Sequence, residues 1–141
     1  MWTAEMVLVC ALSLLHRSAG SFPPIEFVEA HPSYVSANAD AYVPLGHSRI
    51  YLITTSPAFV RARRAVYKCG QVNALRKIAS VLVHEEWHVR HGRDEGGAYA
   101  AQLSTLISLD AGPGNPVYYE VTRSMQATLR RARETARLSR R

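Results

Sequence analysis

Between His84 and Glu95 the chain places three histidines and four acidic residues in twelve positions, directly after an apolar run. Leu75, Ile78, Ala79, Leu82 and Val83 recur at the three- and four-residue spacing of one helix face. The run therefore predicts a long helix that Asn73 can cap and that ends at about His91, with Gly92 as its stop. Such a helix carries imidazoles and carboxylates at its buried side. Desolvating those groups costs several kcal/mol each, on the order of a whole side chain's burial, unless something pairs them. A metal ion pairs both residue types at once, and this requirement constrains the fold more than any other feature.

His84-Glu85-Glu86-Trp87-His88 forms an H-E-x-x-H motif well inside that helix. The i,i+4 spacing sets both imidazoles on one face a turn apart, so that two nitrogens can meet one Zn²⁺. Glu85 is rotated about 100° from His84 and can reach water at the metal without ligating it. Catalytic zinc takes a third protein ligand. Glu95, Asp94 and His91 all follow His88 closely enough to be considered. Glu95 opens the next helix and can point back across the Gly92 turn, beside Gly96 and Gly97. Asp94 suits an N-cap, and His91 lies too far along the axis of a straight helix. Glu95 is the preferred ligand, with Asp94 second.

The rest of the chain arranges itself around this helix. Met6 to Leu15 is an apolar run followed by Ser-Ala-Gly, which has the look of a leader's apolar region. It lacks a preceding Lys or Arg, however, and it also reads as an amphipathic helix with Val7, Cys10, Ala11, Leu14 and Leu15 on one side. The folded first helix is the reading taken, and with it a cytoplasmic rather than a secreted chain. Ile25–Ala30 alternates like a strand, His31–Ser48 is loop-like, and Arg49–Ser56 is the best strand. A short helix around Phe59–Val66 follows. After the long helix come a helix from Glu95 to about Leu109, with Ala98, Leu103, Leu106 and Ile107 inward, and a last helix from near Val117. Helices around a small sheet make the class α+β.

The segment Ala79–Gln102 resembles the zincin metallopeptidases of the gluzincin branch, where H-E-x-x-H is followed by a glutamate on a later helix and a small residue three places on. Here those are Glu95 and Ala98. It is also similar to small bacterial metallopeptidase-like domains with HEEWH-type helices. The resemblance implies a minimal zincin-like domain with one Zn²⁺ per chain on His84, His88 and Glu95, and with Glu85 as the catalytic base. It also implies that Ile50–Ser56 is an edge strand over the motif helix, able to pair with an extended peptide or protein substrate. Glu95 lies seven residues after His88, closer than in the larger gluzincin peptidases. The metzincin pattern, with glycine and histidine at later positions, fails at His91 and Asp94.

The net charge of +6 is not a property of the domain. Residues 1–120 hold ten Lys/Arg and ten Asp/Glu, while residues 121–141 hold seven arginines against Glu134. The division taken is a neutral domain, 1–120, and a basic helical tail, 121–141, with Arg130 and Glu134 as an i,i+4 pair. Without interleaved aromatics or a base-reading element, no specific nucleic-acid binding is expected. The apolar runs are too short for a membrane span. Cys10 and Cys69 either pair or remain as buried thiols. Glu86 is expected to be exposed. Tyr99, Tyr118 and Tyr119 are candidate hydrogen-bond donors to a developing oxyanion, or core tyrosines.

Two functions from different classes follow. The first is a zinc-dependent hydrolase, a metallopeptidase in which Glu85 assists attack by water on a peptide bond. The second is a non-catalytic, zinc-stabilised interaction module that meets an acidic partner through its basic tail.

Overall fold

The computed structural model describes residues 1–140. Its elements are α1 (Ala4–Leu14), β1 (Ile25–Val28), β2 (Ala41–Tyr42), β3 (Ile50–Ile53), α2 (Pro57–Arg63), α3 (Val72–His91), α4 (Glu95–Ser108) and α5 (Pro116–Ser139). The class is α+β, with five helices and a three-stranded mixed sheet in the order β1-β3-β2.

Local chemistry sets most of the boundaries. Thr3 caps α1 through its hydroxyl, which accepts the Met6 N–H, and Val7, Cys10, Ala11 and Leu12 are buried along the helix. Pro57 opens α2 and Pro116 opens α5, both where a missing N–H costs nothing. Asn115 caps α5 by accepting the Val117 N–H at 2.8 Å. Asn73 does not cap α3. It lies inside the helix, and its Oδ1 accepts from Arg76 and Asn115 instead.

The sheet differs from expectation in one consequential way. β3 is the central strand, parallel to β1 on one side and antiparallel to β2 on the other. It is therefore not an edge strand. The edge that faces α3 is β2, two residues from the segment read as loop. Tyr42 stacks on Tyr51 across the β2–β3 pair at 5.2 Å. β2 is also tied down from below, where Lys77 of α3 pairs with Asp40 at 3.2 Å and with Glu120 of α5.

α3 is the spine of the domain. Ala74, Leu75, Ile78, Ala79 and Leu82 pack into a core with α1, α2 and the sheet. A second, smaller cluster joins Tyr99 and Leu106 of α4 to Val117 and Val121 of α5. Ile107, expected inward, is exposed, because α4 turns its opposite side to α3 and α5. A division at residue 120 falls inside α5, since Val121 is buried and Met125 packs against the second cluster. Beyond Thr128 the helix carries its arginines exposed, and no Arg130–Glu134 ion pair forms among the described residues.

A disulfide joins Cys10 of α1 to Cys69, just before α3. Such bonds form and persist in oxidising compartments. No helix among the described residues is long and apolar enough to cross a membrane.

Candidate metal centre

The last two turns of α3 and the first turn of α4 meet across a tight corner, and the geometry of that corner builds the site. α3 ends at Gly92, whose backbone (φ +87°, ψ −151°) lies in a region essentially reserved for glycine. The Gly92 N–H donates to the His88 carbonyl, and the Gly92 carbonyl accepts from His88 Nδ1 at 2.7 Å. Asp94 occupies the N-cap position of α4, yet its side chain makes no capping bond. Glu95 is the first helical residue and points back over α3.

His84 and Glu85 are buried, and His88 and Glu95 are half-buried. The ligand-capable atoms of His84, Glu85 and His88 lie within 4.8 Å of one another. Glu95 is closer still to the imidazoles. Its Oε1 is 3.5 Å from His84 Nε2 and in direct contact with His88 Nε2. Glu85 Oε1 lies 3.8 Å from His84 Nε2. Of the two carboxylates, Glu95 is therefore the better third donor, and Glu85 stands beside the trio.

Both imidazoles are oriented by bonds on their far nitrogens. Gln102, two turns beyond Glu95 on the same face of α4, gives its Nε2–H to Ser80 Oγ at 3.2 Å. Its Oε1 is thereby turned to His84 Nδ1, 2.8 Å away, so Nδ1 carries the proton and Nε2 presents a lone pair. The Gly92 carbonyl accepts from His88 Nδ1 in the same way, so the nitrogen that can give up its proton to a ligand is Nε2, facing the site. Tyr99 lays its ring edge-on to His84 at 4.6 Å.

The electrostatics follow from burial. Desolvation pushes the Glu85 carboxyl up to about 7, with His84 and His88 pulling the other way and Glu95 adding to the rise. Burial opposes charge on His88, but Glu95 and the Gly92 carbonyl outweigh it and hold the imidazole up to about 9. Burial likewise opposes charge on Glu95, and His84 and His88 overcome it, drawing the carboxyl down to about 2.

The residues fit a divalent ion. Two imidazoles and one carboxylate form a donor set used by catalytic zinc. Glu85 Oε2 is buried without a hydrogen-bond partner among the described residues, in a site where no Lys or Arg compensates its charge.

Of the sequence candidates, the fold brings His84, Glu85, His88 and Glu95 together and leaves the others aside. His91 is exposed and stacks on Trp87 at 4.5 Å. Asp94 is exposed at the corner. Tyr119 is exposed, Tyr118 packs on the second cluster, and the Tyr99 hydroxyl shares a 3.3 Å hydrogen bond with Thr128. Glu86 is not exposed. It is 9% accessible, with Arg17 donating to both of its oxygens at 2.8 and 2.6 Å and Arg90 adding a third bond. Sequence reasoning missed Gln102, although its i,i+7 spacing from Glu95 in an otherwise apolar or small stretch was a usable signal. It also took Gly97 as open room. A Cβ there would fall 2.5 Å from Trp87 Cη2 and nearer still to Cζ2, so the glycine is what lets the indole separate α3 from α4 at this distance.

Two hollows open onto the site. One, of about 390 Å³, runs between the approach to β2, α4 and α5. The other, of about 910 Å³, lies under the 34–47 segment. Comparison of the chain with protein-family models, with curated proteins and with solved structures finds no match to any of them.

Proposed function

We propose that the protein is a zinc-dependent hydrolase of minimal zincin-like architecture, a metallopeptidase. The observation that carries this reading is the convergence of His84 Nε2 and His88 Nε2 on Glu95, with both Nδ1 groups tied off and the buried Glu85 carboxylate alongside. His84, His88 and Glu95 would hold one zinc ion. Zinc bound there would act as a Lewis acid and lower the pKa of a water it holds toward ~7.

The chain's own residues supply the rest. Glu85 is the general base: it takes a proton at Oε1 and returns it to the leaving amine. Its carboxyl at about 7 suits both directions of that transfer, and a cation beside it biases it toward the ionised form. Gln102 and the Gly92 carbonyl keep the imidazoles in the tautomer that faces the site. The hollows on either side of Glu85 and Glu95 give an extended peptide room to cross the centre. β2, the edge that lines both, is the strand available for pairing with it.

The alternative, a non-catalytic zinc-stabilised module, draws on the exposed arginines beyond Thr128. It gives Glu85 no role, since a structural zinc site has no use for a buried carboxylate next to its first ligand. Glu85→Gln separates the two. Zinc affinity should remain within a few-fold, while cleavage of a peptide library, read by mass spectrometry, should fall by at least about a hundredfold. Unchanged turnover in Glu85→Gln, or no turnover in the zinc-loaded wild type, would favour the module.

A further inference from the structure

The two hollows that meet at Glu85 and Glu95 differ in chemistry. The larger is walled mainly by Tyr34, Tyr42, Val43, Pro44 and Leu45, with Arg93 at its rim. The smaller runs from His84 past Tyr99 to α5, where Ser124, Thr128 and Arg131 line it. Its other cation, Lys77, is held by Asp40 and Glu120. Arg131 makes no ion pair among the described residues. Its Nη2 donates to Thr128 Oγ1 at 3.3 Å, and Thr128 Oγ1 in turn shares a 3.3 Å bond with the Tyr99 hydroxyl. A guanidinium is thus leaned against one wall of the hollow, with no carboxylate among the described residues in ion-pair contact with it.

We propose that Arg131 is a specificity-determining residue that binds a carboxylate of the substrate, so that the favoured peptide presents a carboxylate toward α5. The inference rests on the peptidase reading of the same centre. A guanidinium fork matches a carboxylate bidentately and remains charged throughout the working pH range. The relay from the His84 ring through Tyr99 and Thr128 to Arg131 puts that carboxylate within about four residues of the scissile bond, at 3.3–3.6 Å per extended residue. It is either the C-terminal carboxylate or an acidic side chain.

The test uses the full-length, zinc-loaded chain on two pools of random octapeptides, one with free and one with amidated C-termini, with products read by mass spectrometry. In parallel, fluorescein-labelled acid and amide peptides are titrated onto zinc-free protein and followed by anisotropy. The wild type should favour carboxylate-bearing peptides about tenfold in kcat/KM, mainly through KM. Arg131→Ala should shrink that preference to about twofold or less, and Arg131→Lys should keep part of it, with zinc content and Tm unchanged in both. A preference confined to the free-acid pool assigns the C-terminal carboxylate. Enrichment of Asp and Glu that persists in the amidated pool assigns a side chain. Identical cleavage and binding profiles for wild type and Arg131→Ala would overturn the assignment. A wild type that binds zinc and carboxylate peptides yet cleaves neither pool would sink the peptidase reading while leaving the carboxylate site standing.

Discussion

Replacing Gly97 with alanine should loosen the proposed metal centre without touching any of its proposed ligands. The added Cβ would sit 2.5 Å from Trp87 Cη2 and 2.9 Å from Cε2, whereas carbons pack at about 3.5–4.0 Å. The indole and the first turn of α4 must therefore part by about 1 Å. Trp87 is wedged between that turn and His91, on which it stacks, so the ring cannot swing aside freely. Overpacking of this kind costs about 1–3 kcal/mol, which for a domain of this size lowers Tm by roughly 3–10 °C. Glu95 stands two residues earlier on the same turn, and zinc–ligand distances tolerate only about ±0.2 Å. Zinc affinity should then weaken at least about tenfold, a loss of roughly 1.4 kcal/mol. The assay is thermal melting with and without zinc, together with chelator competition for Kd. In the Trp87→Leu background, where the ring edge is gone, the same alanine should cost much less. Equal Tm and equal zinc affinity in wild type and Gly97→Ala would refute the idea that this contact sets the spacing of α3 and α4.

Other perturbations bear on separate parts of the structure. Arg17→Ala strips the main partner from the buried Glu86, whose carboxyl Arg17 holds below the usual range, and should cost about 1.5–3 kcal/mol in urea unfolding at neutral pH. The stabilisation from a depressed carboxyl is present above its unfolded pKa and lost as pH falls through its folded one, so wild type and variant should converge only at pH values below the usual carboxylate range. Zinc must displace the proton that Glu95 and the Gly92 carbonyl hold on His88, against the opposing effect of burial. Apparent affinity should accordingly rise about tenfold per pH unit from neutrality to about 9, where an ordinary histidine would level off near ~6.5. Glu95→Gln should remove that extra slope in a chelator titration, and a flat wild-type profile above neutrality would contradict it. Reducing Cys10–Cys69, which are 59 residues apart, should cost about 4 kcal/mol on the loop-entropy view, seen as a lower Tm with zinc content retained.

The sequence made α3 and its C-terminal end legible because both signals are local, whereas its start at Val72 precedes the Asn73 expected to cap it. A 3.6-residue apolar period defines the buried face, and a glycine able to take a positive φ stops the helix. The positions of His84, Glu85 and His88 follow from helix geometry alone, and Glu95 from a one-turn corner. What stayed hidden depends on partners distant in the chain. An edge position for β3 is implied only by the family resemblance, and its pairing with both β1 and β2 is non-local, so no local feature reports it. β2 could not be read at all, since two residues in a polar stretch carry no period, and its place is set by β3 and by the Lys77–Asp40 pair. Glu86 looked solvated because nothing near it in sequence indicates that the segment after α1 brings Arg17 against the motif helix. Ile107 looked buried because its spacing fits a helix face that the fold leaves uncovered.

Metal stoichiometry on the purified full-length chain, loaded with zinc, desalted and measured by mass spectrometry of the element, tests the centre most directly when run beside His84→Ala, His88→Ala, Glu95→Gln and Asp94→Ala. About one zinc per wild-type chain is expected. It should be lost in both histidine variants, severely weakened in Glu95→Gln and kept in Asp94→Ala, with far-UV circular dichroism unchanged throughout. A folded wild type that retains no zinc, or a site that survives Glu95→Gln but fails in Asp94→Ala, would contradict the assignment of His84, His88 and Glu95 as the metal ligands.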